Sequence, residues 1–393
     1  MDATTRALGR ATLARQLLLD RSETSSADAV AHLLGLQAQN VKPPYFQLWS
    51  RLRGFEPESL SALMESRRVV RMVTMRSTIH THTAEDALTL RPLVQPARDR
   101  ELTNFRKGLD GVDLDRLTEI SRAFVEAEPR TMQEIRTELL THWPDADPPA
   151  LSVAARCRLP LVQVTPRGLW GRSGQVRLTT LRSWLGRDDD SALPDPADPA
   201  ARADLLDRTV LRYLGAFGPA SVQDMQTWAG LTRLREAFER LRPRLVVLRD
   251  ERGTELFDLP DAPRPDPDVP APPRFLPEFD NLLLSHADRT RIVPADLKGR
   301  SFQGNQAYCT LLVDGVLGGL WRLDTAKGPA GKPARSAPAG AGGEIGGTAT
   351  LTVELFGRVP KALKEEIAAE GERLLAGMTT AAARSLRFGP ISG

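Results

Sequence analysis

Cysteine is nearly absent: Cys157 and Cys309 are the two thiols in 393 residues. Two are too few for a disulfide framework or, by themselves, for a structural zinc site, so a reducing compartment is expected. Long apolar runs are also missing. Nothing approaches the roughly eighteen residues of a membrane-spanning helix. The opening Met1-Asp2-Ala3-Thr4-Thr5-Arg6 places an acid where a secretory signal would carry its apolar stretch, so none is read there and a cytoplasmic location is expected. No P-loop, no Gly-x-Ser-x-Gly elbow and no paired cysteines occur. Neither a metal nor a cofactor is therefore expected.

Lysine is scarce as well. Seven lysines among 53 basic residues leave 53 − 7 = 46 arginines. Arginine suits phosphate, because its planar fork donates two parallel hydrogen bonds. A GC-rich coding bias enriches Arg, Ala, Gly and Pro together and accounts equally for the count, so arginine carries weight only where position supports it. The net charge of +3 decides little. A hydrophobic share of 41% and a charged share of 26% are those of a globular chain, and this length implies two to four domains.

The clearest local order lies between Ala200 and Pro260. Leu205, Leu206, Val210, Leu211 and Leu214 share a helical face, and Gly215 with Gly218-Pro219 is expected to break it. Ser221 caps a second helix, Val222 to Trp228, with Asp224 in a shortened capping box. Gly230 turns the chain into a third helix, Leu231 to Leu241, carrying Arg233, Arg235, Arg240 and Arg242. Two β-rich runs joined by Asp250-Glu251-Arg252-Gly253 read as a hairpin. Helix, helix, basic helix, hairpin is the order of a winged helix.

The same order recurs twice. From Leu114 a helix runs to Val125, Thr131 caps Met132 to Leu140, and Ala150 to Arg158 forms the third. Leu161 to Val164 and Gln175 to Leu178 are the wing strands, and Pro166 to Gly174 is an exposed tip between them. Near the start, Arg6 to Leu19, Ser26 (as cap) to Leu36 and Pro57 to Ser66 are helices, with strands Val69 to Thr74 and Thr78 to Thr83. The expected divisions are 1–110, 111–195 and 196–260, then a Pro/Asp-rich linker at 261–274. Residues 275–393 follow as a small β-barrel, with strands at Thr310 to Val313, Val316 to Leu323 and Thr350 to Leu355. Lys327 to Gly347 is a Gly/Ala/Pro-rich insertion read as mobile, and Lys361 to Ala376 a closing helix. The fold class is α+β: three tandem winged-helix units and a C-terminal barrel. An α/β enzyme with unrelated helical pairs is the competing reading.

Few residues announce chemistry. His80 and His82 stand two apart and share one face of a strand, but no third metal ligand accompanies them, which favours a structural role. Asp188-Asp189-Asp190 reads as a solvated run. The odd feature is Leu36-Gln37-Ala38-Gln39-Asn40, followed by Tyr45, Phe46 and Trp49. Three amides crowd the end of an apolar helix, and simple helix termination with Asn40 as cap explains them on spacing alone.

Gly35-Leu36-Gln37-Ala38-Gln39, with Pro44-Tyr45 and Leu48-Trp49-Ser50-Arg51-Leu52, resembles the N-terminal signature of bacterial winged-helix DNA glycosylases of the AlkZ and YcaQ type. Further similar blocks are Met75 to His80 with Asp86, Val164 to Arg172, Phe275 to Asn281, His286 to Arg289, Leu312 to Gly315 and Glu354 to Gly357. Their order along nearly the whole chain carries the resemblance. It implies a C-shaped scaffold with duplex DNA on its concave face, and excision of N7-alkylguanine. In the AlkZ branch it also implies unhooking of interstrand crosslinks made by DNA-alkylating natural products, a self-resistance role. Gln37 and Gln39 would place the hydrolytic water. The YcaQ branch ends this motif in Asp, so Gln39 favours the AlkZ branch. A nucleoid-associated monomer acting on alkylated double-stranded DNA is expected.

An amide cannot take up a proton at neutral pH, so glutamine is no ordinary general base. N7-alkylation removes the need, because the cationic base departs as a neutral molecule. Orienting water and favouring an oxocarbenium-like sugar then suffices. Arg167, Trp170 and Arg172 on the tip, with Arg76 and Asn40, are the expected DNA contacts; Trp170 packed on its own domain is the alternative. Asp280, Asn281, His286 and Arg289, together with His80, either line the cleft or join the barrel to the helices. A non-enzymatic winged-helix regulator remains the alternative function.

Overall fold

The computed structural model describes residues 2–187, 198–304, 306–327 and 347–391. The Asp188-Asp189-Asp190 run, and all of the Gly/Ala/Pro-rich insertion except Lys327 and Gly347, lie outside the described residues. The first helix, Thr5–Arg15, is capped by Thr4, whose hydroxyl accepts from the Ala7 amide. The second, Ser26–His32, is capped by Ser25 rather than Ser26. It stops four residues short of Leu36, because Leu34 (φ 55°) and Gly35 (φ 95°) reverse the chain. Leu36–Gln37 then forms a strand antiparallel to Ile79–Thr83, with Leu36 opposite Thr81 and Gln37 opposite His80. The amide cluster therefore does not terminate a helix, and Asn40 caps none.

Pro43–Arg51 is a helix that the sequence reading passed over. Two prolines open it, where their missing N–H groups cost nothing, and all nine residues are buried. Its polar residues Gln47, Ser50 and Arg51 bond internal partners and do not face solvent. Helices Ala84–Leu93 and Gln95–Thr103 follow the strand pair Val69–Val73 and Ile79–Thr83.

The second stretch matches its expected order. Leu114–Ala127, then Met132–His142 with a reciprocal Thr131/Glu134 capping box, then Pro148–Arg158 capped by Asp147, lead into strands Leu161–Gln163 and Leu178–Thr180. These strands do not form a separate wing. Arg71 pairs with Gln163 and Met72 with Val162. One antiparallel sheet results, ordered Leu36–Gln37, Ile79–Thr83, Val69–Val73, Leu161–Gln163, Leu178–Thr180. Strands from both sides of residue 110 thus share a single sheet.

The third stretch holds Pro199–Phe217, Val222–Ala229 with the reciprocal Ser221/Asp224 capping box, Arg235–Leu241, and the hairpin Val246–Asp250 with Glu255–Asp258. Gly215 does not break its helix. The last helix starts four residues later than expected, because Arg233 takes a left-handed backbone (φ 61°) and Gln226 Oε1 accepts from the Leu234 amide. Residues Asp2–Ala3 add a short parallel strand to this hairpin.

Beyond it, residues 261–273 run as a strap along the first helix, where Arg6, Arg10 and Arg15 donate to the carbonyls of Pro267, Val269 and Pro263. Strands Arg274–Leu276, Cys309–Val313, Val316–Lys327, Gly347–Leu355 and Ala383–Phe388 form a second sheet, in that spatial order. It is open. Its outer strands do not pair among the described residues, which corrects the expected barrel. Helix Lys361–Met378 lies across the face instead, and Gly371 permits the approach, since a Cβ there would come within 2.4 Å of Leu386. Ile367, Leu374 and Met378 join Phe275, Trp321 and Val353 in one core with Phe46 and Trp49 of the Pro43–Arg51 helix.

Two fully buried ion pairs tie the first helices to Asp258 and Asp280. Arg15 binds Asp258 at 2.5 and 2.9 Å, and Arg51 binds Asp280 at 2.8 Å through both oxygens. Removing one partner of such a pair strands a charge in the interior. Asp280→Ala should lower the unfolding free energy by about 3–5 kcal/mol in urea denaturation, while Arg51→Met with Asp280→Leu should regain most of that loss.

Candidate active site

The segment from Gly35 to Asn40 is held by its carbonyls. Gly35 supplies the turn that delivers it: at φ 95°, a Cβ would lie 2.2 Å from His82 Nδ1. Asn281 Nδ2 donates to the Gly35 carbonyl at 2.7 Å. Gln47 Nε2, on the buried Pro43–Arg51 helix, donates to the Gln37 carbonyl at 3.0 Å. The Ala38 amide donates to the Ile79 carbonyl at 2.7 Å, prolonging the strand ladder by one bond. Arg71, 2% exposed on Val69–Val73, donates to the Ala38 carbonyl at 3.0 Å and reaches the Asn40 carbonyl at 3.5 Å. Asn40 Nδ2 donates to Glu278 at 3.0 Å. Three side chains from three elements therefore fix a segment that has only two residues of regular strand.

On this platform the two glutamines differ. Gln37 is 4% exposed, whereas Gln39 is open to solvent. Gln37 Oε1 accepts from Arg76 Nη2 at 2.7 Å. The same nitrogen lies 3.4 Å from His80 Nε2, and Arg76 Nη1 donates to the Trp228 carbonyl. Arg76 sits in a 3-10 turn, Met75–Ser77, with a left-handed backbone (φ 53°, ψ 21°). Gly230 packs against that backbone, where a Cβ would come 3.0 Å from the Arg76 nitrogen. Burial, then the nearby charge of Arg289, lowers the Arg76 pKa to about 10, so it remains a cation at neutral pH. Arg76 was expected to touch DNA. Its guanidinium is instead spent on three internal acceptors.

His80 Nδ1 lies 3.0 Å from the Thr78 carbonyl, which places the ring proton there and leaves Nε2 as an acceptor toward Arg76. Burial, then Arg76 and His82, holds its pKa well below the ordinary histidine value, so the ring is neutral. His82 stacks on it at 5.5 Å between centroids, and burial brings its pKa to about 4. The two rings share a face as the strand spacing implies. Among the described residues no cluster of three His, Cys, Asp or Glu side chains suits a metal.

The remaining candidates separate. Asp280 and His286 are sealed inside: Asp280 is paired with Arg51, and His286 Nε2 bonds the Phe217 carbonyl at 2.9 Å, with burial driving its pKa to about 3. Both join the C-terminal part to the helices rather than lining a cleft. Asn281 shapes the site only through the Gly35 carbonyl. Arg289 is half-buried and faces Arg76, and its guanidinium has no hydrogen-bond or ion-pair partner among the described residues.

The stretch from Pro166 to Gly174 is docked, not an exposed tip. Tyr45 Oη donates to the Gly168 carbonyl at 2.7 Å and Ser61 Oγ accepts from the Trp170 amide at 3.0 Å. The half-buried Trp170 ring lies 5.0 Å from Tyr45 and 6.1 Å from Phe46. It packs on the Pro43–Arg51 helix and not on its own unit. Arg167 stands beside Arg71 and helps to lower that residue's pKa to about 10, after burial. Arg172 alone of the three is exposed and makes no side-chain bond among the described residues.

The expected basic helix is also neutralised. Arg240 binds Asp207 at 2.6 Å, Arg242 binds Glu239 at 2.6 Å, and Arg235 lies 3.2 Å from Glu255. Hydrogen bonding from Arg242 drives the Glu239 pKa down to about 2. Arg233 is the one arginine of that group with no acidic partner among the described residues.

Sequence reasoning missed Arg71, Gln47 and Glu278 as builders of the site. Arg71 was visible as a charge inside the apolar strand Val69-Val70-Arg71-Met72-Val73, and Gln47 as an amide among aromatics.

Comparison with known proteins places the whole chain. The model of the family described as DNA glycosylase AlkZ-like matches residues 30–376. A Streptomyces sahachiroi protein named interstrand DNA cross-link repair glycosylase is 25% identical over 341 residues, 79% of this chain and 85% of that one. The solved structure of Streptomyces sahachiroi DNA glycosylase AlkZ has the same fold, with a TM-score of 0.76 over 99% of this chain and 100% of that chain at 19% identity. With a family model matched across most of its length, the chain belongs to the AlkZ-like DNA glycosylase family.

Proposed function

We propose that this protein is a monofunctional DNA glycosylase that hydrolyses the N-glycosidic bond of N7-alkylguanine in duplex DNA, bulky adducts and interstrand crosslinks included. Family membership supports the reaction class, and the relative named for cross-link repair supports the lesion class. The stretches 1–110, 111–195 and 196–260 act as winged-helix-like units in a C-shaped scaffold, the first elaborated by extra helices and sharing its sheet with the second. A monomer encloses the duplex on its concave face, with 275–393 closing one end. The setting is base excision repair or self-protection against an alkylating natural product.

The observation that carries this reading is the clamped backbone of Gly35 to Asn40, with Gln39 open and Gln37 beneath it. Gln37 and Gln39 stand two apart on this held segment, one buried and one exposed, and both amides are taken to serve the same reaction centre. A neutral pair suits only a substrate whose leaving group is already activated. Water attacks C1′ of the alkylated nucleotide and the C1′–N9 bond breaks. The bonding electrons neutralise the cationic purine, and the proton of the attacking water leaves to solvent past Gln39. No group of the protein needs to change protonation state. Unmodified guanine lacks the positive charge and stays in place, which makes selectivity a property of the substrate as much as of the site.

Arg172, Arg233 and Arg289, which have no acidic partner among the described residues, are taken as candidates for backbone phosphates, alongside exposed arginines such as Arg68 and Arg244. Each phosphate contact adds to the salt dependence of binding.

A base-release assay on duplex containing N7-methylguanine tests the proposal. The protein should produce abasic sites from this duplex and none from unmodified duplex. Binding without release would make it a regulator instead. Gln39→Ala and Gln37→Ala should each slow single-turnover release by about 10²–10³-fold with duplex affinity unchanged. Arg172→Gln should weaken binding to any duplex and reduce the slope of log affinity against log salt by about 1.

A further inference from the structure

We propose that Arg76 is a positioning residue that divides the work between the two glutamines, making Gln37 the hydrogen-bond donor to the hydrolytic water and Gln39 its acceptor. This rests on the glycosylase reading above and sharpens it.

A guanidinium can only donate. The group that Arg76 Nη2 meets at 2.7 Å must therefore be the oxygen of the Gln37 amide, which settles an orientation that is otherwise ambiguous. Arg76 is itself anchored. The Trp228 carbonyl takes Nη1, and His80, with its proton held at Nδ1 by the Thr78 carbonyl, offers a lone pair to Nη2. A neutral ring is required for this, and burial keeps it neutral. Gly230 closes the rear of the turn.

With Oε1 committed to a cation, Gln37 presents its NH₂ group. That nitrogen has no partner among the described residues, yet it is not among the sealed polar atoms left unpaired, so solvent reaches it. Gln39 makes no side-chain bond among the described residues, and its oxygen is free to accept. A water bridging the two receives an N–H from Gln37 on one lone pair and donates a proton to Gln39 Oε1. Its second lone pair is left to form the bond to C1′. One fixed donor and one acceptor hold the water with that lone pair directed at C1′.

The division predicts opposite tolerances. Gln39→Glu keeps an acceptor and should retain excision within about tenfold. Gln37→Glu has no donor and pairs with Arg76, so it should fall as far as Gln37→Ala. Arg76→Met should slow single-turnover release of N7-methylguanine at least about tenfold without changing duplex Kd, and Arg76→Lys should recover part of that rate. Arg76 also ties two parts of the fold, so the deciding readout is the cycle with Gln37→Ala. If Arg76 acts through Gln37, Arg76→Met costs nothing further in the Gln37→Ala background. Additive losses, or a Gln37→Glu variant faster than Gln39→Glu, would overturn the division while leaving the glycosylase reading intact. Failure of the unaltered protein to release base overturns both.

Discussion

A short run of backbone, Gly35 to Asn40, must be held still although it is too short to hold itself. Two residues of strand supply little of the hydrogen bonding that a rigid segment needs. The molecule makes up the difference with side chains. Asn281 comes from beyond the second sheet's first strand, Gln47 from a helix buried on all sides, and Arg71 from the neighbouring strand. Much of the architecture follows from bringing these three to one place. The Arg51–Asp280 pair binds the Gln47 helix to the loop that carries Asn281. Pairing of Arg71 with Gln163 places the second stretch behind the first. The open C-terminal sheet packs its core against the same helix.

Rigidity matters here because the proposed chemistry uses no strong acid or base. Two amides contribute only direction and partial charge, and such contributions are large only when no reorganisation is needed at the moment of reaction. Arginine has a double part in this. Of a large complement, many members are internal struts: Arg15, Arg51, Arg71 and Arg76 all end on carbonyls or carboxylates inside the protein. The fork geometry that suits phosphate suits a buried carboxylate or a pair of carbonyls equally well. Abundance of arginine therefore says little about how much positive surface remains for DNA.

Local chemistry was legible in the sequence, and tertiary pairing was not. Ser221 with Asp224 forms the expected capping box, and Thr131 caps its helix as expected, with Glu134 completing a box there too, because a cap depends on four consecutive residues. The strands near 69–83 and the hairpin near 246–258 follow from alternation and turn residues. Leu36–Gln37 is not legible that way, since two residues carry no period and the apolar pattern of the preceding helix runs straight into them. Pro43–Arg51 failed for a different reason: all nine residues are buried, with the polar Gln47, Ser50 and Arg51 turned to internal partners instead of solvent. Trp170 looked like a groove-entering side chain because its neighbours are Gly and Arg; only the Tyr45 hydroxyl and Ser61, more than a hundred residues away, reveal it as docked. Gln37 and Gln39 were singled out through family resemblance, since on spacing alone they passed for a helix end. The network around them depends on contacts between distant parts of the chain.

Gln47 offers the most direct test that a held backbone is what lets neutral amides suffice. It is fully buried and so cannot touch DNA, its nitrogen serves the Gln37 carbonyl, and its own oxygen has no partner. Replacing it with methionine removes the restraint together with that unpaired oxygen, so stability should change little. Single-turnover excision of N7-methylguanine by Gln47→Met, measured with duplex affinity and thermal unfolding, separates the restraint from both fold and binding. The account predicts clearly slower excision with affinity and unfolding temperature close to those of the unaltered protein. Excision at the full rate would contradict it.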